Sequence, residues 1–349
     1  MFYIYIIVIL ISTISLVIIS NLLNIGQKVI QSICLLNTIF CFFLSTFIWI
    51  LFDRSSSEYQ FIYKGFFLEK TITSEINIPL YNFIISFGID GISIFFILLS
   101  IFLIPLCLLT SYKQGLIYIK DYCVYLLLLE LFLILSFSSI DLIGFFFFFE
   151  SILIPMFFLI GIWGSRQRKV RASFFFFLYT LFGSILLFFS ILILYYDVGS
   201  TNFNILSKIN IDLIKQLTLW IFIYIAFSVK IPTIPFHIWL PEAHVEAPTT
   251  GSVILAALLL KLGGYGIIRI LLLIFSEATF YYLPLTDSLC LISIVYASLT
   301  TIRQIDMKRI IAYSSIAHMN LVVLGIFSGN IQGISGSNKG FKDWQAQAT

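Results

Sequence analysis

Long apolar runs, following one another along the chain, constrain this sequence more than any other feature. They lie near residues 2–20, 29–51, 83–111, 119–139, 141–162, 174–196, 217–239, 249–273, 280–302 and 309–327. Each is close to the roughly 20 apolar residues a helix needs to cross the hydrocarbon core of a bilayer. Backbone polar groups in lipid must be satisfied within their own segment, so serial runs of this length fold as a helix bundle. The sequence therefore predicts an all-α polytopic membrane protein of about ten transmembrane helices. Its composition agrees: 60% of residues are hydrophobic and only 11% are charged, more apolar surface than a soluble domain could hide. The first run, Phe2 to Ser20, has neither a basic leader nor a small-residue cleavage site. It reads as a retained span rather than a signal or transit peptide.

Loop charges orient the chain. The side reached after the first span carries Lys28, Lys113, Lys120, Arg166, Arg168, Lys169, Arg171, Arg303, Lys308 and Arg309. The other side carries Arg54, Lys64, Lys70, Lys208, Lys215 and Arg269. The excess places the first group toward cytoplasm or matrix. The stretch GSRQRKVRAS (164–173) supplies four of those charges and reads as a topological anchor. A net charge of +3 with no basic-aromatic motif gives no reason to invoke nucleic acid. Cys34, Cys41, Cys107, Cys123 and Cys290 are scattered through apolar runs without a CxxC pair, as small buried hydrophobes rather than metal ligands or disulfides.

The informative residues are ionisable groups with no polar neighbourhood: Glu130 in LLLLELFLIL, Glu150 in FFFFFESILIP, Lys230 in FSVKIPTIPF, Lys261 in AALLLKLGGYG and His318 in SSIAHMNLV. A charge at the centre of a lone membrane helix costs at least about 2.5–3.5 kcal/mol, so such groups face a bundle interior. Buried ion pairs are poor stabilisers because desolvation offsets their attraction, which makes structure alone a weak reason for four of them. A proton path is the functional reading. Low dielectric favours the neutral form of either residue type and an opposite charge favours the ionised form. A change in the separation of Glu150 and Lys230 would therefore alter the proton affinity of Lys230.

Pro232 and Pro235 follow Lys230 at once. Neither can donate to a carbonyl one turn back, so those of Ser228 and Ile231 are expected to open toward water or the ammonium. Broken helices of this kind are tolerated at membrane depth where they line protein or a wet cavity, and transporters place ion sites at them. His237 is expected near the same face if the helix resumes. Glu242, His244 and Glu246 look like metal ligands on paper, but they read as a loop between Pro241 and Pro248 without ligand spacing. Gly263, Gly264 and Gly266 let a neighbouring helix come close. Tyr265, one turn after Lys261, is a candidate relay.

Several motifs carry a resemblance: FGIDGIS (87–93), FFESILIPM (148–156), IGIWGSRQRK (160–169), VKIPTIPFHIWLPEAHVEAPTTGSVILA (229–256), LLLKLGGYGIIR (259–269) and the stretch from Tyr296 to Ser337. On these the chain resembles the antiporter-like membrane subunits of NADH:ubiquinone oxidoreductase, respiratory complex I, and among them subunit 4 in its mitochondrial form. The resemblance implies proton translocation coupled conformationally to electron transfer elsewhere in the complex. It also implies no flavin, iron–sulfur, NADH or ubiquinone site in this chain, and no metal. Partners would be the other membrane-arm subunits, including the two sister antiporter-like subunits, and the lipid of the mitochondrial inner membrane. The family's fifth-span glutamate matches Glu150, its broken-helix lysine Lys230 and its eighth-span lysine Lys261. Glu130, His237 and His318 match supporting polar positions.

The resemblance further implies two inverted five-helix repeats, of which this sequence holds the first complete and the second incomplete. The expected segments are 1–82 (two spans and an extramembrane excursion), 83–118 (third span), 119–273 (first repeat), 274–330 (two spans of the second repeat) and 331–349 (a polar tail ending NKGFKDWQAQAT). The tail is expected to reflect a frame change, intron read-through or recombined reading frame, with a natural short tail as the alternative. The functional alternatives are a subunit of a multi-subunit cation/proton antiporter and a truncated or chimeric non-functional product, and the alternative location is a bacterial plasma membrane.

Overall fold

The fold is seen in a computed structural model that describes residues 2–22, 26–53, 55–56, 58–67, 84–112, 118–209, 211–330 and 332–333. Most of the polar tail, and most of the excursion after the second span, lie outside the described residues. The helices are α1 (Phe2–Leu22), α2 (Gln27–Leu51), α3 (Ser93–Tyr112), α4 (Ile119–Ser138), α5 (Leu142–Ser151), α6 (Leu153–Trp163), α7 (Lys169–Val198), α8 (Phe203–Leu206), α9 (Leu213–Lys230), α10 (Trp239–Glu246), α11 (Thr249–Ile254), α12 (Leu260–Gly266), α13 (Ser276–Ile302) and α14 (Met307–Phe327). Among the described residues nine helical segments are long and apolar enough to span a membrane, and Ile4–Ile19 within α1 is a shorter apolar helix. The all-α polytopic reading holds for the spans.

Two short strands are added to it. β1 (Gln60–Phe67) and β2 (Ile84–Ile89) pair antiparallel, with a register shift beside Phe61, whose φ is 54°. The third span was expected from residue 83 but starts at Ser93. The reason is local: Asp90 and Ser93 cap reciprocally, Ser93 N–H donating to Asp90 Oδ1 at 3.2 Å and Asp90 N–H to Ser93 Oγ at 2.8 Å. A helix started by such a cap leaves the preceding residues free to extend.

The chain packs as two compact units. The first comprises Met1–Pro155 with Ile191–Lys208. In it α4 packs against α1, α2, α3 and α5. The corner between α4 and α5 is pinned by backbone pairing of Ile140 N–H with Ser86 O at 3.0 Å and Leu142 N–H with Thr201 O at 2.8 Å. Asp141 Oδ2 accepts from the N–H and hydroxyl of Ser86 at 2.5 and 2.7 Å. Burial pushes the Asp141 carboxyl above its ordinary range against the opposing pull of those Ser86 bonds. β2 thus serves as a strap on this corner.

The second unit comprises Met156–Ser190 with Ile209–Thr349. In it α9 packs on α12 and α13, and α14 packs on α13 and α10. The bidentate pair of Arg166 with Asp306, at 3.2 and 3.4 Å, ties the basic loop before α7 to the start of α14. Arg166 holds the Asp306 carboxyl below its ordinary value. α7, 30 residues long, has residues in both units. Its outward stripe is Phe174, Leu178, Phe182, Ile185, Phe189 and Ile193, as expected of a lipid-facing helix.

Candidate functional site

The segment around Lys230 is the least regular part of the second unit. The seventh span was expected to run to residue 239, but α9 ends at Lys230. Pro232 and Pro235 bring no N–H to the ladder, so residues 231–235 leave the α-helix. Lys230 is 4% exposed at the helix C-terminus, where the macrodipole favours a cation.

The Ser228 carbonyl, opened by Pro232, is taken by the protein itself, which corrects the expectation for it. Its oxygen accepts from Thr233 N–H at 3.0 Å. The Val229 oxygen accepts from the indole N–H of Trp239 at 2.8 Å. Thr233 bends back because the two flanking prolines hold its backbone out of the helix, and Trp239 is carried in by the turn that follows. Thr233 and Trp239 were missed by sequence reasoning. The available signal was a donor-bearing side chain just past a double-proline break.

Past the break a single 3₁₀ turn, Phe236–Ile238, leads into α10. His237 sits in that turn at 8% exposure, so the helix does not simply resume. Its ring meets Tyr296 edge-on at 5.2 Å between centroids. Glu242, His244 and Glu246 lie on α10 rather than in a loop, because Pro241 falls in a first helical turn, where no backbone donor is required. Among the described residues no group of three or more potential ligands could hold a metal.

Lys261 is fully buried in the span Thr249–Leu272. Residues Leu255–Leu259 and Ile267–Leu272 on either side of α12 are π-helical. Lys261 Nζ donates to the carbonyl of Ala256, inside the first π segment, at 3.1 Å. π turns recur at functional sites because they loosen the regular carbonyl ladder. The broken end of α9 lies directly on this helix. A Cβ added at Gly263 would sit 2.5 Å from Ile231 Cγ1 and 3.4 Å from Lys230 Cβ, and one at Gly266 would collide with the Phe227 ring. The glycines therefore let α9 and α12 approach at the level of the two lysines, as expected for Gly263 and Gly266. Tyr265 accepts at its hydroxyl from Arg269 Nε at 3.3 Å, which ties it to that residue.

The remaining candidates divide. Glu150 is half-buried near the end of α5, in the first unit, while Lys230 belongs to the second. Glu130 is fully buried on α4. His318, matched to a central polar position, is instead exposed. It shares an outward stripe of α14 with Ile311 and Leu321, while Ser315, Ile316, Met319 and Asn320 face inward. Asn320 is the inward polar residue the sequence reading passed over. It is fully buried, with Nδ2 donating to Ile316 O at 2.8 Å. An amide within AHMNLVV was the signal for it.

Residues 139–340 match the family described as NADH:quinone oxidoreductase/Mrp antiporter, transmembrane. The chain is 48% identical over 318 residues to NADH-ubiquinone oxidoreductase chain 4 of Prototheca wickerhamii, covering 89% of this chain and 60% of that protein. It is 48% identical over 314 residues to the protein of the same name from Marchantia polymorpha, covering 90% and 61%. The chain thus spans about 60% of the length of these relatives. Among solved structures it is similar to a chain of respiratory complex I from Thermus thermophilus with bound NADH, with a TM-score of 0.83 at 23% identity, covering 100% of this chain and 68% of that one. It is also similar to a chain of a membrane-bound sulfane sulfur reductase, an archaeal respiratory membrane complex, with a TM-score of 0.84 at 22% identity, covering 99% and 68%. These two show a shared fold.

Proposed function

Because the chain belongs to the NADH:quinone oxidoreductase/Mrp antiporter family of transmembrane proteins, we propose that it is a proton-translocating subunit of a membrane-bound NADH:ubiquinone oxidoreductase. The observation that carries this reading is the meeting of α9 and α12. Two buried lysines sit on adjacent helices, one where α9 breaks and the other beside a π turn, with Gly263 bringing the helices together. An ammonium held by a backbone carbonyl can release its proton to a neighbouring acceptor, and the resulting amine can take one back.

In this reading Lys261 is the central carrier and Lys230 its partner. Glu150 supplies the charge that favours or disfavours the protonated form of Lys230. A conformational change driven by electron transfer in other subunits shifts that balance. Flavin, iron–sulfur clusters, NADH and ubiquinone belong to those subunits, and the sister antiporter-like subunits lie among the partners. The setting in this reading is the mitochondrial inner membrane, a location supported by the likeness to NADH-ubiquinone oxidoreductase chains. A cation/proton antiporter subunit is the second reading, favoured by the Mrp half of the family description.

The test is Lys230→Ala in the assembled complex. Proton-coupled NADH:quinone turnover should fall about tenfold or more, as removal of a proton-transfer group commonly does. Unchanged turnover and proton stoichiometry would overturn the reading. Sodium exchange by vesicles lacking NADH oxidation would favour the antiporter instead.

A further inference from the structure

The first unit holds a buried acid that the two lysines do not use. Glu130 is fully buried on α4, and neither of its carboxyl oxygens has a hydrogen-bond partner among the described residues. Mid-helix backbone N–H groups are already bonded within the ladder, so α4 itself offers this side chain no donor. Buried polar atoms are nearly always paired, and burying a carboxyl unpaired is costly.

The helix facing Glu130 is unusual for one in lipid. α2 turns Gln31, Cys34, Thr38, Cys41 and Ser45 inward, alternating three and four residues apart. It turns Ile33, Leu36, Phe40, Phe43 and Phe47 outward. Leucine would fill the inward positions better if packing were their only task. The two helices run in register. The Cys34 thiol is in hydrogen-bond contact with Cys123, and Cys41 lies within electrostatic reach of Glu130. Each helix advances seven residues between these two contacts, so the seam covers about 10.5 Å at 1.5 Å per residue.

Polar atoms continue along the buried face of α2. The hydroxyls of Thr38 and Ser45 donate to the carbonyls of Leu35 and Phe42 at 3.0 and 2.7 Å, which leaves their lone pairs free to accept. At the α2 N-terminal end Gln31, 5% exposed, has Nε2 without a partner among the described residues. A buried amide donor and a buried carboxyl acceptor, both unpartnered, thus lie along one stripe of thiols and hydroxyls.

We propose that the seam between α2 and α4 is a water-lined access path along which protons pass between Gln31 and Glu130. The exchange is simple: the carboxyl O–H breaks as a water oxygen takes the proton, and the carboxylate takes one back from hydronium. Proton translocation gives the path its purpose, and in that respect it rests on the preceding section. Every residue of the path belongs to the first unit, whereas Lys230 and Lys261 belong to the second.

The test uses membrane vesicles containing the assembled complex and a small cationic methanethiosulfonate, which reaches thiols only through water. Modification of the native Cys34 and Cys41 is followed by mass spectrometry against the lipid-facing control Leu36→Cys. Both native thiols should react at least about tenfold faster than the control, since thiol reactivity follows access. In infrared difference spectra a carboxyl band lost in Glu130→Gln should shift on transfer to D₂O, and Thr38→Val with Cys41→Leu should slow that shift. Thiols no faster than the control, or a carboxyl that does not exchange, overturn the proposal. Dry thiols together with an uncoupled Lys230→Ala would sink the seam and leave the pumping reading standing. Reactive thiols with a fully active Lys230→Ala would do the reverse.

Discussion

Glu130 in the first unit and Lys261 in the second are both ionisable, both fully buried and both set in long apolar helices, yet the chain treats them differently. Lys261 has a π turn beside it and a carbonyl to bond, and Lys230 has a helix end. Glu130 has an unbroken helix and no hydrogen-bond partner among the described residues. The difference follows from backbone chemistry. A proline break in mid-membrane, as after Lys230, opens carbonyls without opening an equal number of N–H donors, and carbonyls are acceptors that suit a cation. Donors come free only at helix N-termini, so an acid in mid-helix must look to side chains or water. The same fold can therefore hold a cation with backbone alone, whereas an anion at that depth calls for polar side chains around it, such as the inward stripe of α2.

The largest effect that could break this comparison is a matched pair of variants. Lys261→Met should lower coupled turnover by about a hundredfold, the scale of a lost acid–base group. It should also lower the thermal stability of the purified complex by about 1–3 kcal/mol, because the Ala256 carbonyl loses its bond. Glu130→Met removes a polar group that has no partner to strand, so its stability should stay within about 1 kcal/mol of the parent or rise. Equal losses of stability in the two variants would show that the acid is as well served as the lysine.

Gly263→Ala tests the close approach that gives the lysines a common level. The added methyl meets Ile231, so overpacking should cost about 1–3 kcal/mol, read as a lower thermal midpoint. A variant as stable as the parent would mean that α9 and α12 have room to spare.

The smallest effect lies at the rim, where acid and cation do pair. Arg166 holds Asp306 below its ordinary carboxylate value. The stabilisation is therefore present above the unfolded-state value and lost as pH falls through the lower folded-state one. The side chains are 47% and 41% exposed, so solvent and salt screen the pair. Asp306→Asn should be slightly less stable than the parent at neutral pH and low salt. The gap should close on acidification and again at high salt, as read by thermal midpoints across pH.

Much of this contrast was legible in the sequence. Apolar runs give the spans, and Lys230, Lys261, Glu130 and Glu150 stand out because charge is costly at that depth. Pro232 and Pro235 mark the break. What replaces the lost backbone bonds was not legible. Thr233 and Trp239 reach Ser228 and Val229 only after the turn has formed, and nothing local fixes which donor arrives. The π segments flanking α12 were hidden because their residues are ordinary helix formers, and their hydrogen-bond register is set by packing. The strand at Ile84–Ile89 was hidden within an apolar run that also suits a helix. His318 illustrates helix phase: its neighbours in sequence mark it as polar, but only the packing of α14 on α10 and α13 decides which face turns out.

One dimension of α7 has a further consequence. Its 30 residues make a rod of about 45 Å at 1.5 Å per residue, against a hydrocarbon core of about 30 Å. Lys169 and Arg171 mark one end and Asp197 the other, with an uninterrupted apolar stretch between. Such a helix leans to keep that stretch in lipid, and the angle depends on acyl-chain length. Bilayer thickness then acts on this chain as a mechanical variable, setting the inclination of a helix whose residues contribute to both compact units.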